Sequence, residues 1–269
     1  MLKDISLGRY YSGNSIFHEL DPRIKVVMFF TYMVTIFTVN KWQAMVLFSV
    51  ITIAQIVIAK LPLKVIISSI MPVVPIALFI ALLNMLTIRE GRTLFEWNII
   101  VITLGGTRKA ILMASRLILL IISTSVLLTL TTTPLKLSDA LEKLFAPLKV
   151  IKMPVHEMAM MMSIALRFIP TLVEETDRIM KAQVSRGADY DTGTIIARTK
   201  GYITVIIPLF ISAFKRAEEL ATAMDARCYR GGEGRTKLNP LHLTSKDWII
   251  GAILLVLAAL VLVLQVINV

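Results

Sequence analysis

The chain is poor in what active-site chemistry usually draws on. It has one cysteine, Cys228, which excludes an internal disulfide and a cysteine-built metal cluster. Its three histidines, His18, His156 and His242, stand far apart. None has the spacing of a metal-ligand pair, and each reads as a satisfied surface residue. There is no glycine-rich phosphate loop, so the sequence offers no ATP site of its own. No serine or cysteine sits in a recognisable nucleophile pattern. The N-terminus is polar for about two dozen residues and lacks the apolar core of a signal peptide, so the first apolar run is expected to act as its own insertion signal. Charge is also missing from the long hydrophobic runs. None holds a carboxylate or histidine of the kind a proton relay needs. Arg116 is the exception. It stands about two turns past Lys109 and is placed either to snorkel outward or to line a cavity, the commoner role being an interfacial or packing arginine.

What is present is apolar and basic. The 269 residues are 56% hydrophobic, with a mean hydropathy of +0.75. That composition belongs to a polytopic membrane protein. The net charge of +11 would suit a nucleic-acid partner. A membrane protein has a simpler reason for it, because cytoplasmic loops collect lysine and arginine, and no nucleic acid is expected. Apolar runs occur at 24–39, 42–59, 65–88, 110–130 and 248–267. A span needs about 20 residues, and the first run is short for one. Pro72 and Pro75 predict a kink in the third. The stretch "WNIIVITLGG" is a β-like run ending in a glycine turn, either a short hairpin or a re-entrant piece. The short loops divide their cations almost evenly. The many cations beyond residue 133 place the N-terminus inside and the C-terminus outside.

Residues 133–245 are too polar to span and too apolar to be a tail. Pro134 opens a helix with Leu137, Leu141, Leu144 and Phe145 on one face. From 155 to 186 the apolar positions follow the three-and-four spacing of an amphipathic helix, with Gly187 as its stop. A second such stripe runs from Ile203 to Met224 and ends at "RCYRGGEG". The glycines there suit a helix stop better than a phosphate nest. Pro170 and Pro208 interrupt the two helices at comparable distances before Arg186 and Arg227, so the two units read as a loose internal repeat. The expected fold is an all-α membrane protein with about five transmembrane helices and a platform of long amphipathic helices. Residues 1–132 hold four spans, 133–245 the platform, and 246–269 the C-terminal span.

Each long helix ends in an alanine, three residues, then an arginine: Ala182 to Arg186 and Ala223 to Arg227. Small residues flank both, Ser185 and Gly187 in one case, Ala226 and Cys228 in the other. A cation at a helix C-terminus is favourable with the macrodipole, which accounts for one such residue. It does not account for a repeated motif with small neighbours. Those neighbours let a helix tip enter a tight groove, where a guanidinium makes fork-shaped bonds to a carboxylate. Two matched tips imply two similar partner subunits. The cluster Met158, Met160, Met161 and Met162 has two readings: core packing, or an adaptable contact surface.

At these residues the sequence resembles the transmembrane T component (EcfT) of energy-coupling factor transporters, which are ABC-type importers of vitamins and other micronutrients. The resemblance covers nearly the whole chain. It rests on "GRYYSGNSIFHELDPRIK", "TTTPLKLSDALEKL", "ALRFIPTLVEETDRI" and the tips "SRG" and "ARC". It implies that Ser185, Arg186, Gly187, Ala226, Arg227 and Cys228 dock the cytoplasmic coupling helices onto two homologous ATPase subunits. Those partners would bind the ATP, and the chain itself would need no cofactor or metal and would not be an enzyme. A small membrane S component would carry the substrate, with the face of Met158, Met161, Met162 and Phe168 as its contact. The second tip departs from the family in having Cys228 where glycine is common. The "LDPRIK" opening looks like the type shared among several S components. A T component of a dedicated metal-ion or biotin importer is the near alternative. An intramembrane enzyme using Glu174, Glu175 and Asp177 is the distant one, since those carboxylates lie on the polar side of an amphipathic stripe. A permease with its own path is disfavoured by the apolar spans.

Overall fold

The computed structural model describes residues 10, 11, 13–97, 100–188, 195–232 and 240–267. The break expected over 189–193 and the glycine-rich stretch beyond 232 lie outside the described residues. The chain forms two compact units, Gly8–Ala140 with Leu241–Val269, and Leu141–Pro240.

The first unit is an apolar bundle. After the single turn α1 (Ile16–Glu19) it comprises α2 (Pro22–Thr38), α3 (Trp42–Ala59), the pair α4 (Leu63–Ile70) and α5 (Val74–Thr87), α6 (Leu104–Thr124) and α10 (Ser245–Ile267). The helix α7 (Pro134–Leu144) starts in this unit and runs into the next. Among the described residues three helices, α3, α6 with its extension, and α10, are long and apolar enough to cross a membrane. The pair α4 and α5 makes a fourth span if it is continuous, bent by 55° where Pro72 and Pro75 break the ladder. With 17 residues, α2 rises roughly 26 Å, short of a hydrocarbon core of about 30 Å. The core lies between α2, α3, α6 and α10. Tyr32 meets Phe48 edge to face at 5.7 Å, and Met28, Ile36, Leu127 and Val261 are buried around them. Gly251 lets α10 approach α2 closely, since a Cβ there would stand 3.1 Å from Ile24. The outward faces carry Val50, Val57, Leu78, Phe79 and Ile267, an apolar surface suited to lipid.

Polar groups gather at the two ends of this bundle. At one end Arg116 donates to the Val39 carbonyl and, at 3.0 Å, to Asn40 Oδ1. Gln265 Oε1 accepts from the Asn40 and Lys41 amides at 3.0 and 3.1 Å. Arg116 thus takes the role of an interfacial packing arginine at the end of the bundle. It clamps the turn between α2 and α3. At the other end α6 finishes in a π-helical turn, Ser125–Thr129. Its last carbonyls are met from the N-terminal segment. Tyr11 N donates to Leu130 O at 3.1 Å, and Lys25 Nζ to Thr131 O at 2.9 Å and Thr132 Oγ1 at 3.0 Å. Lys25 is only 1% exposed. Asp21 caps α2 by accepting from Arg23 N at 2.8 Å, with Pro22 in the first helical position. Arg23 Nη2 donates to Leu241 O at 2.6 Å. Asp247 accepts from the Asp21 amide at 2.9 Å, and from the Thr244 amide and hydroxyl at 2.8 and 2.6 Å. The last pair is the carboxylate half of a capping box on α10.

The "WNIIVITLGG" stretch supplies the second strand of an antiparallel pair, β1 (Thr93–Trp97) with β2 (Ile100–Thr103). Its glycines are not the turn. Gly105 and Gly106 form the first turn of α6, which Thr103 caps by accepting from Gly106 N at 3.1 Å. A Cβ on Gly105 would lie 2.5 Å from Glu90 O, and one on Gly106 would lie 2.7 Å from Ile88 O. Both residues are glycine because backbone meets backbone there.

The second unit is built on α8 (Val155–Ser185) and α9 (Ile195–Ala226). Pro170 and Pro208 lie inside these helices and do not interrupt them. The helices pack on each other, and Glu175 on α8 pairs with Arg216 on α9 at 3.5 Å. His156 at the start of α8 bonds Glu142 at 2.9 Å. Gly232 packs on that imidazole, where a Cβ would come within 2.4 Å of the ring.

Gly105→Ala and Gly106→Ala should each force α6 away from residues 88–90. The expected cost is about 1–3 kcal/mol, as for overpacking. Unfolding titrations in mixed micelles would measure it. Ser115→Ala, on the same helix with its hydroxyl bonded only to its own turn, is the control and should stay within about 0.5 kcal/mol.

Candidate partner-docking site

The two long helices end in the same way. At the end of α8, Gly187 N donates to Val184 O at 2.9 Å and Ala188 N to Gln183 O at 2.9 Å. Gly187 has φ +88°, in the left-handed region. At the end of α9, Cys228 N donates to Asp225 O at 2.9 Å and Tyr229 N to Met224 O at 3.1 Å, with Cys228 at φ +54°. Both patterns are the Schellman motif, in which a left-handed residue turns the chain back onto the last free carbonyls. Arg186 and Arg227 occupy the same position in it, the cap residue just before the left-handed one.

The motif explains the small residues on each side of the arginines. The following residue must adopt positive φ, which favours glycine and costs other residues about 1–2 kcal/mol. Cys228 bears that cost, and the helix stops there rather than at the glycines further on. Gly231 takes a separate left-handed turn at φ +87°. The preceding residue is the last helical one, and Ser185 there turns its hydroxyl back to Lys181 O at 3.0 Å.

All six tip residues, Ser185, Arg186, Gly187, Ala226, Arg227 and Cys228, are exposed. Among the described residues neither arginine has an acidic partner within ion-pair distance. Arg227 borders a groove of about 460 Å³ whose walls are Met160 and Ile164 of α8 and Leu220 and Met224 of α9. The structure thus divides the methionine cluster. Met160 faces α9, whereas Met158, Met161 and Met162 are 47%, 58% and 50% exposed and Phe168 is half-buried. On α9 the residues Ile206, Phe210, Ile211 and Phe214 are likewise exposed. Two amphipathic helices therefore meet along part of their apolar surface and leave a broad apolar face open. Of the three carboxylates considered for an enzyme, Glu175 is engaged by Arg216 and Glu174 lies exposed on the surface.

Sequence reasoning missed the buried cluster of Asp21, Arg23, Lys25 and Asp247. It used "LDPRIK" as a family mark and assigned it no task. The available signal was Asp21-Pro22, a helix cap followed by the residue best suited to the first helical position.

Residues 13–238 match the family model CbiQ, described as a cobalt transport protein. The chain is 49% identical over 265 residues to the energy-coupling factor transporter transmembrane protein EcfT of Ruminiclostridium cellulolyticum, covering 98% of each chain. It is 46% identical to the protein of that name from Clostridium kluyveri, over 97% of this chain and 96% of the other. It is 44% identical to the one from Bacillus subtilis, over 98% of this chain and all of the other. With the helical, apolar bundle and the two matched arginine tips, these likenesses show that the chain belongs to the EcfT family, as a multi-pass membrane component of an energy-coupling factor transporter.

Proposed function

We propose that the chain is the coupling subunit of its transporter. In this reading Arg186 and Arg227 dock into grooves on two homologous ATPase subunits that bind and hydrolyse ATP. The unit Leu141–Pro240 lies on the cytoplasmic side and passes their motion to a small membrane S component that holds a vitamin or other micronutrient. The observation that carries the reading is the identity of the two tips. Two caps of one geometry present one exposed arginine each, in the same place relative to the helix end. Equal tips suit two equal grooves, and a guanidinium with no acidic partner among the described residues is available to an external carboxylate. The open apolar face with Met158, Met161, Met162 and Phe168 suits a partner that must slide or repack, because methionine is unbranched and soft.

Arg186→Ala and Arg227→Ala should each weaken ATPase association by about 2–5 kcal/mol, the cost of truncating one side of a buried interfacial charge pair. The double variant should still insert in the membrane but recover no ATPase subunits on affinity purification. Normal recovery would refute docking through the arginines.

The cap geometry makes a separate prediction. Gly187→Ala should destabilise its tip by about 1–2 kcal/mol, the cost of a Cβ at positive φ. Cys228→Gly should relieve the same strain at the second tip. Hydrogen exchange of the Ala188 and Tyr229 amides reads this directly, with faster exchange expected in the first variant and slower in the second.

Met161→Asp with Met162→Asp places unpaired charge on the open face, and burying such a charge is costly. The S component should be lost from the purified complex while the ATPase subunits remain. Full recovery of every subunit would leave that face in solvent.

A further inference from the structure

The bundle end that holds the turn between α2 and α3 is basic. In sequence it carries Lys41, Arg89, Arg92, Arg108 and Lys109 against the two carboxylates Glu90 and Glu96. The loop before β1 belongs to the same end, because it is bonded to the start of α6. Leu104 N donates to Arg92 O at 2.9 Å, and Gly105 N to Glu90 O at 3.0 Å. Arg108 and Lys109 are neighbours on α6 with different company. Lys109 Nζ donates to Glu90 Oε1 at 2.9 Å. Arg108 is exposed, and among the described residues no carboxylate stands within ion-pair distance of it. It borders an open hollow of about 370 Å³ between the starts of α3 and α6, lined by Trp42, Leu104, Thr107, Arg108 and Ile111.

The lining is polar at one level and apolar at the next. Leu104, Thr107, Arg108 and Ile111 are spaced by threes and fours, so they share one face of α6. Side chains on a helix lean toward its N-terminus, which carries the Arg108 guanidinium toward the bundle end and leaves Ile111 on the hydrocarbon side. Trp42 opens α3, and Val46 and Val50 continue its outward stripe at four-residue spacing, 47% and 57% exposed. Thr107 turns its hydroxyl to Leu104 O at 2.9 Å, so the side-chain N–H donors on the hollow are the Arg108 guanidinium and the Trp42 indole. A lone arginine or tryptophan at a membrane surface is ordinary. Here both stand on one hollow, above a continuous apolar wall, where cations outnumber carboxylates. That arrangement complements a phospholipid. An acyl chain fits along Ile111, Val46 and Val50, and a phosphate fits the fork of donors on the guanidinium. The excess of cations favours a headgroup of net negative charge over one whose own ammonium cancels its phosphate. We propose that this hollow binds one anionic phospholipid, with Arg108 holding its phosphate and Trp42 flanking the headgroup. The proposal uses bundle residues alone and stands apart from the coupling reading.

The experiment is native mass spectrometry of the full chain released from detergent micelles, offered equal amounts of dioleoylphosphatidylglycerol and dioleoylphosphatidylcholine. In the unaltered chain the first bound lipid should be phosphatidylglycerol by about fivefold, the factor that corresponds to one interfacial arginine acting on an anionic headgroup. Arg108→Ala should bring the two lipids to near parity, and Arg108→Lys should keep most of the preference. Arg108→Gln replaces the alanine variant if that one does not insert. Arg92→Ala removes an exposed cation from the same end without touching the hollow, and should leave the preference within about twofold. Glycerol phosphate, which has the anion without the acyl chains, should not bind at the lipid concentration used. Equal binding of the two lipids by the unaltered chain overturns the proposal. So does a loss in Arg92→Ala as large as in Arg108→Ala, which would describe a diffuse basic surface. Binding of glycerol phosphate as tight as that of the lipid would make the hollow a site for free phosphate, and that result overturns it too.

Discussion

In hydrocarbon no water is at hand to meet an unpaired amide or charge. That constraint organises the bundle. Its middle is built from Tyr32, Phe48, Ile36, Leu127 and Val261. The strongest polar contacts stand at its ends, where α6 releases its last carbonyls, where α2 turns into α3, and where α10 begins. The cations there are turned inward onto backbone. Lys25 and Arg116 each take carbonyls that a turn or helix end would otherwise leave open. A buried cation is costly alone, and each of these is held by more than one acceptor.

The same need, applied where helices face water, shapes the tips. A helix end must satisfy its last carbonyls, and a left-handed residue lets the chain fold back to do so. Placing arginine immediately before that residue fixes the guanidinium relative to the helix axis. Repeating the arrangement on α8 and α9 yields two equivalent tips from local sequences that differ in detail, "SRG" and "ARC". The departure at Cys228 is therefore a matter of backbone strain more than of side-chain size.

The two amphipathic helices that carry the tips cover each other only partly. Met160 and Ile164 are turned toward α9, and Glu175 pairs with Arg216. The rest of the apolar surface, from Met161 on α8 to Phe214 on α9, is left uncovered. A soluble protein of this composition would bury such a face or associate through it. In a component of a membrane transporter complex the second outcome is the natural one.

Much of this was legible in order along the chain. Apolar runs of about 20 residues specify spans, because one helix must cross the hydrocarbon with its backbone bonds internal. Periodicity marked α8 and α9, prolines marked the bend between α4 and α5, and a repeated arginine flanked by small residues marked the tips. Signals of this kind lie within one element, where spacing along the chain is also spacing in space. Tertiary structure decided the rest. It buried Lys25 against Thr131 and Thr132 and gave Arg116 to the Asn40 turn. It made Gly105 and Gly106 a contact between a helix start and a preceding loop instead of a hairpin turn. It turned Met160 inward and Met161 outward. Each of these depends on a partner outside its own element, Lys25 with Thr131 or Arg116 with Asn40, and the partner of a polar group is chosen by packing, which no local pattern of residues contains.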